Sequence, residues 1–207
     1  MDVTFFFRGL LIGLSIAAPV GPIGVLCIRR TLAEGLAAGL VSGLGAATAD
    51  ALYGFIAAFG LTFISGLLIR QEMWLRLVGG LFLCYLGVKT LLAKSAGPAQ
   101  PTSTGGRGLL AAYTSTLFLT LTNPVTILFF AAIFAGLGAA GASGSYASAA
   151  ILVAGVFAGS ALWWLTLSGL VSLFRNRFDA RAMRWVNRLS GLVIMGFGLA
   201  ALLGLKG

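Results

Sequence analysis

With 207 residues, of which 59% are hydrophobic and only 9% charged, the chain is too apolar to cover a water-soluble surface of its size, and its solvent must be lipid. A spanning helix needs about 20 apolar residues, so the length holds one transmembrane domain over residues 1–207 and no separate soluble domain. The net charge of +9 would suggest nucleic acid in a soluble protein; here the basic residues gather in short connections, where they report orientation in the membrane, and no nucleic-acid partner is expected.

The hydropathy pattern predicts an all-α integral membrane protein with six spans, at about 5–27, 36–60, 74–92, 109–135, 147–174 and 189–205. The first run, from Phe5 to Ala18, has the apolar character of a signal peptide. Its early basic residue, Arg8, lies inside the run, however, and Pro19 would crowd a cleavage site after Ala18, so a retained span is expected. That span is interrupted at Ala18-Pro19-Val20-Gly21-Pro22-Ile23-Gly24. Two prolines without N–H groups and two glycines predict a broken helix.

The second run carries Asp50, with about 14 apolar or small residues before it and more of the same after it. The other acids, Asp2, Glu34, Glu72 and Asp179, lie in or beside connections. A carboxylate near the bilayer midplane costs about 2.5–3.5 kcal/mol on insertion scales, so Asp50 must face the bundle interior, either protonated or paired with a cation. Such a group can also carry a proton. Its neighbours Gly43, Gly45, Ala46, Ala47, Ala49 and Ala51 are small and suit close helix packing. Thr48 is a candidate hydroxyl ligand for a substrate.

After the third run, Lys94 to Arg107 is rich in Pro, Ser, Thr and Gly and reads as a linker. It divides the chain into a first unit (1–93), a linker (94–108) and a second unit (109–207). The fourth run is interrupted at Thr120-Leu121-Thr122-Asn123-Pro124, and Pro124 lies 14 residues beyond Leu110 just as Pro19 lies 14 beyond Phe5. Unwound backbone inside a membrane survives only where it is buried in protein or lines an aqueous cavity. The matched breaks at Pro19, Gly21, Pro22, Asn123 and Pro124 therefore predict a central binding site, with half-helix N-termini for a carboxylate and freed carbonyls for an ammonium. In the fifth run Trp163 and Trp164 read as packing residues. The following stretch, with Arg177, Arg181, Arg184 and Arg188 at helical spacing, reads first as cytoplasmic anchoring by positive charge, with a short surface helix on anionic headgroups as the alternative.

Two echoes share one offset. Leu40-Val41-Ser42-Gly43 matches Leu152-Val153-Ala154-Gly155, and Arg76-Leu77-Val78-Gly79 with Tyr85 matches Arg188-Leu189-Ser190-Gly191 with Phe197, both 112 residues apart. Three spans per unit is an odd number, so the second copy must insert upside down, giving two inverted repeats. The same offset pairs Thr48 with Ser160, a second candidate hydroxyl. Arg29, Arg30, Lys89, Lys94, Arg107, Arg175, Arg177, Arg181, Arg184 and Arg188 fall on one side of the membrane and Arg8, Arg70, Arg76 and Lys206 on the other. The first, third and fifth connections are therefore expected in the cytoplasm and both termini outside.

Histidine is absent, which excludes catalytic constellations built on it, and Cys27 and Cys84 both fall in apolar segments without a disulfide pattern. No enzyme activity, metal site or cofactor is expected.

Taken together, Pro19-x-Gly21-Pro22, the Arg29-Arg30 pair, a Gly-rich second span with Asp50, and Asn123-Pro124 in the fourth span resemble the lysine exporter (LysE/RhtB) type of amino-acid translocator. The resemblance implies a secondary exporter in the inner (plasma) membrane, spanning it several times and moving an amino acid or similar small metabolite out of the cytoplasm in exchange for protons. Members that export basic amino acids carry a further acid shortly after the Asn-Pro; Val125 to Phe130 are uncharged here, so the resemblance implies a neutral substrate. Besides substrate, protons and membrane lipid, homo-oligomerisation is left open. Two other classes are kept: a membrane thiol-disulfide relay through Cys27 and Cys84, and export of an inorganic cation.

Overall fold

The computed structural model describes residues 2–19, 21–59, 72–92, 106–123, 126–127, 129–130, 146–175 and 180–203. Among these residues there are seven helices and no strand: α1 (Asp2–Ala17), α2 (Pro22–Glu34), α3 (Leu36–Ala58), α4 (Glu72–Leu91), α5 (Gly106–Leu121), α6 (Tyr146–Phe174) and α7 (Ala180–Leu203). Segments of α3, α6 and α7 are each long and apolar enough to cross a membrane. Helices α1 and α2 meet that test jointly, bent by 81° at the break between them, and Leu77–Leu91 of α4 is a shorter apolar helix.

The bend follows from the prolines. The last amide to close α1 is that of Ala18, donated to Leu14 at 2.9 Å, and Pro19 has none to give. The chain re-enters helix with Gly21 as N-cap and Pro22 in the first turn, where a missing N–H is tolerated. At the far end, Gly35 adopts φ 101° and its N–H reaches the carbonyls of Arg30 and Thr31, so a single residue turns α2 into α3.

That tight turn corrects one expectation. Arg29 and Arg30 do not lie in a connection but in the last turns of α2, and Arg30 is 8% exposed. A second correction concerns the arginines before the sixth run. From Ala180 onward they are not a separate surface helix but the first turns of α7, because their spacing continues the helical period of the span; Arg177 and Asp179 lie outside the described residues. Helix α5 also begins at Gly106, inside the stretch read as linker, whose residues up to Gly105 lie outside the described residues.

Helix α1 packs along α6, α3 lies between α5 and α6, and α4 pairs with α7. In lipid there is no hydrophobic drive between helices, and close backbone contact has to hold them together. Gly9 and Gly13 of α1 face the Leu152 and Val156 carbonyls of α6, while Gly155 and Gly159 of α6 face the Phe6 and Leu10 carbonyls of α1. A Cβ at any of the four would run into backbone. Between α4 and α7 the arrangement is again reciprocal: a Cβ on Gly87 would stand 3.0 Å from the Gly191 carbonyl, and one on Gly191 2.9 Å from that of Gly87.

Candidate functional site

The two breaks meet at one cavity of about 240 Å³. Its wall is assembled from the end of α1 (Ile16, Ala17), the first break (Pro19, Gly21), the start of α2 (Pro22, Ile23, Gly24), α3 (Ala46, Asp50), the end of α5 with its break (Thr120, Asn123, Thr126, Phe129), α6 (Trp164) and α7 (Phe197). Among the described residues, Asp50 is the one charged residue in this lining.

Asp50 is 3% exposed and accepts a hydrogen bond of 2.7 Å from the Ser160 hydroxyl of α6. Ser160 in turn accepts from Trp164 Nε1 at 3.2 Å, one helical turn further on. This chain of donors depends on Gly43, because a Cβ there would collide with the first carbons of Trp164. The small residues around Asp50 therefore do more than pack helices: they admit the indole whose N–H fixes the hydroxyl that holds the acid.

Another part of the wall is backbone. Pro22, Ile23 and Gly24 bring the N-terminus of α2, the positive end of its dipole, to the cavity, and the first intrahelical bond is from Val25 N–H to the Gly21 carbonyl at 3.1 Å. Where α5 ends, the chain tightens through the Asn123 N–H on the Thr120 carbonyl, 3.3 Å, before helical residues resume at Thr126. The Leu121 carbonyl accepts from the hydroxyl of Tyr53 at 2.6 Å, and the Tyr53 ring stacks on Phe130 with centroids 5.2 Å apart. The interruption is thus satisfied by protein, as irregular backbone at membrane depth must be.

Of the residues singled out from sequence, Asp50, Pro19, Gly21, Pro22 and Asn123 share this cavity, and Ser160 stands behind Asp50. Pro124 lies outside the described residues. Thr48 is not among the lining residues: it donates to the Leu44 carbonyl at 2.8 Å and accepts from the Tyr113 hydroxyl at 2.9 Å, toward α5. Trp164, read from sequence as a packing residue, belongs to the buried apolar core and also lines the cavity, and Trp163 packs against the same core. Sequence reasoning did not single out Tyr53, Thr126 or Phe129. Tyr53 lies three residues after Asp50 and so on the same face of α3, a signal that could have found it.

A protein of Bacillus subtilis (strain 168) named "Putative amino acid efflux protein YcgF" is 29% identical over 199 residues, covering 95% of this chain and 94% of its own. The "Uncharacterized membrane protein YahN" of Escherichia coli (strain K12) is 29% identical over 83% of this chain and 77% of its own, and the "Uncharacterized membrane protein YrhP" of Bacillus subtilis (strain 168) is 24% identical over 84% and 87%. No solved structure matches the chain. The family model described as LysE type translocator matches residues 14–204, taking in both breaks, Asp50 and the whole cavity wall, and the chain belongs to that family of membrane translocators.

Proposed function

We propose that this protein is a multi-pass inner-membrane secondary transporter that exports a neutral amino acid or similar small metabolite from the cytoplasm, with Asp50 coupling export to the entry of protons. The observation that carries the proposal is a single buried acid on the wall of a cavity built at two chain breaks. A zwitterion finds complementary ends there: the α2 N-terminus for its carboxylate, Asp50 for its ammonium. The apolar wall of Ile16, Trp164, Phe129 and Phe197 suits an uncharged side chain. The cavity has room for about eight water-sized groups at ~30 Å³ each, the scale of a small amino acid. Coupling requires that Asp50 hold a proton in one conformation and exchange it for the substrate ammonium in another.

The architecture under this reading is two inverted three-span repeats, α1 to α4 and α5 to α7, with both termini outside. Helix pairing supports it. Exchanging the two units maps the α1–α6 contact onto the α5–α3 contact and leaves α3–α6 and α4–α7 unchanged. The other two classes have less under them. Neither Cys27 nor Cys84 lines the cavity, and the described residues contain no group of three His, Cys, Asp or Glu side chains able to hold a metal ion.

The test is export itself. Cells with and without the protein are loaded with dipeptides of neutral amino acids, and intracellular and medium amino acids are followed. One neutral amino acid should leave faster from cells carrying the protein, and the difference should collapse when the proton gradient is dissipated. Identical profiles for every amino acid would overturn the proposal.

A further inference from the structure

A second cavity, of about 450 Å³, shares no lining residue with the first. It lies between α2, α4 and α5 at the end of the bundle where basic residues gather. Arg29, Arg30 and Lys89 line it against one acid, Glu34. Glu34 is taken by Arg29, 3.6 Å away. Arg30 makes four hydrogen bonds of 2.8–2.9 Å, all to neutral acceptors: the hydroxyls of Ser42, Thr116 and Ser115 and the Ala112 carbonyl. Lys89 is exposed, with Nζ 5.9 Å from the Tyr85 ring centroid. Among the described residues neither Arg30 nor Lys89 has an acidic partner within ion-pair distance. Glu34 is the one negative charge among the described residues of this lining, against three cations, so the cavity is short of an anion.

Below this basic rim the lining turns apolar, through Leu86, Leu26 and Phe82. At this apolar part of the lining, Phe82 of α4 meets Phe118 of α5 edge to face, 5.2 Å between centroids. Among the described residues α4 packs mainly on α7 and makes little contact with α5. From Lys89 to Phe82 is two helical turns, a depth of about 10 Å. The first turn of α5, at Gly108, adds the positive end of its dipole to the rim.

The geometry points to a binding site for one anionic phospholipid, its phosphate on Arg30 and Lys89 and the start of an acyl chain on Leu86 and Phe82. A soluble anion would use the rim and leave the apolar floor unfilled. A zwitterionic lipid would fill the floor and bring its own cation to a rim that already has a surplus of them. Basic pockets between transmembrane helices are the recurrent setting for such headgroups.

The test uses the full chain purified in a neutral detergent, with retained lipid counted by native mass spectrometry. Dioleoyl phosphatidylglycerol should be retained as a single copy and dioleoyl phosphatidylcholine, with the same chains, should not. Lys89→Gln removes a rim charge without disturbing the Arg30 bonds, and should raise the half-saturating phosphatidylglycerol concentration about fivefold. Arg184→Gln, an exposed charge on α7 that does not line the cavity, should leave it unchanged. Equal retention of the two lipids, or equal effects of the two substitutions, would reduce the site to diffuse surface attraction and overturn the proposal. Displacement of phosphatidylglycerol by millimolar glycerol phosphate or amino acid would assign the rim to a soluble anion and overturn it too.

Discussion

Replacing Asp50 by Asn and Ser160 by Ala separates the acid's role in export from its role in the fold. Ser160 donates to Asp50 at 2.7 Å, a hydrogen bond to a charged group worth about 1.5–3 kcal/mol, against about 0.5–1.5 kcal/mol for a neutral pair. Asp50→Asn keeps an acceptor oxygen and loses about 1 kcal/mol of that bond. It also removes a membrane-buried carboxylate that costs about 2.5–3.5 kcal/mol to insert, so the balance favours the variant by about 1.5–2.5 kcal/mol. Ser160→Ala does the reverse: it keeps the acid but takes away the partner of Asp50 and of Trp164 Nε1, at about 1–3 kcal/mol for each group left unsatisfied. The two groups together make about 2–6 kcal/mol, and with about 2–4 °C per kcal/mol for a chain of this size the thermal midpoint should fall by at least about 4 °C. Size-exclusion profiles after heating in detergent read stability, and release of amino acid from dipeptide-loaded cells reads export. Asp50→Asn should accumulate at wild-type abundance and export nothing, Ser160→Ala should be less stable and still export, and Asp50→Glu should export weakly with an altered pH profile. Export at the wild-type rate by Asp50→Asn across pH would refute the coupling role. An Asp50→Asn protein less stable than Ser160→Ala would refute the energetic argument.

Reporters fused after Gly207 should be periplasmic and those inserted between Pro98 and Thr104 cytoplasmic; a cytoplasmic C-terminus, read by protease or thiol accessibility, would break the six-span reading. Tyr53→Phe leaves the Leu121 carbonyl without its donor, which should cost about 1–3 kcal/mol and lower the thermal midpoint, while Tyr53→His, with a polar nitrogen in place of the phenol, should not restore it. Pro22→Ala and Pro124→Ala should each insert normally and export poorly, because regular helix is acceptable to the membrane but closes the cavity. Normal export from both would make the prolines ordinary kinks.

The first break was legible because proline's chemistry is local: Pro19 cannot donate and Pro22 can only begin a helix. Asp50 was legible because a lone acid in an apolar run has few places to go. The position of Arg29 and Arg30 was not, since charge pairs normally mark connections and only the one-residue turn at Gly35 keeps them in helix. The repeat offset carried partial information. It paired Thr48 with Ser160 as candidate hydroxyls, yet the two face different partners: Ser160 donates to Asp50 and Thr48 accepts from Tyr113. Trp164 and Tyr53 depend on which helix lies opposite, and that is decided by the glycine contacts of α1 with α6 and by Gly43. Hydropathy carries no trace of such pairings.

The Arg30 guanidinium also sets an order of assembly. Its acceptors on α5 lie 82 to 86 residues further along the chain. At about 5–20 residues per second, synthesis delivers them roughly 4–17 seconds after Arg30 itself. Until then only the Ser42 hydroxyl of the neighbouring helix is in reach, and the charge must wait at the headgroup level on its flexible stem. It can sink to its final depth only when α5 docks, so the first half cannot mature alone and the late helix is drawn to a site that an unsatisfied cation keeps open for it.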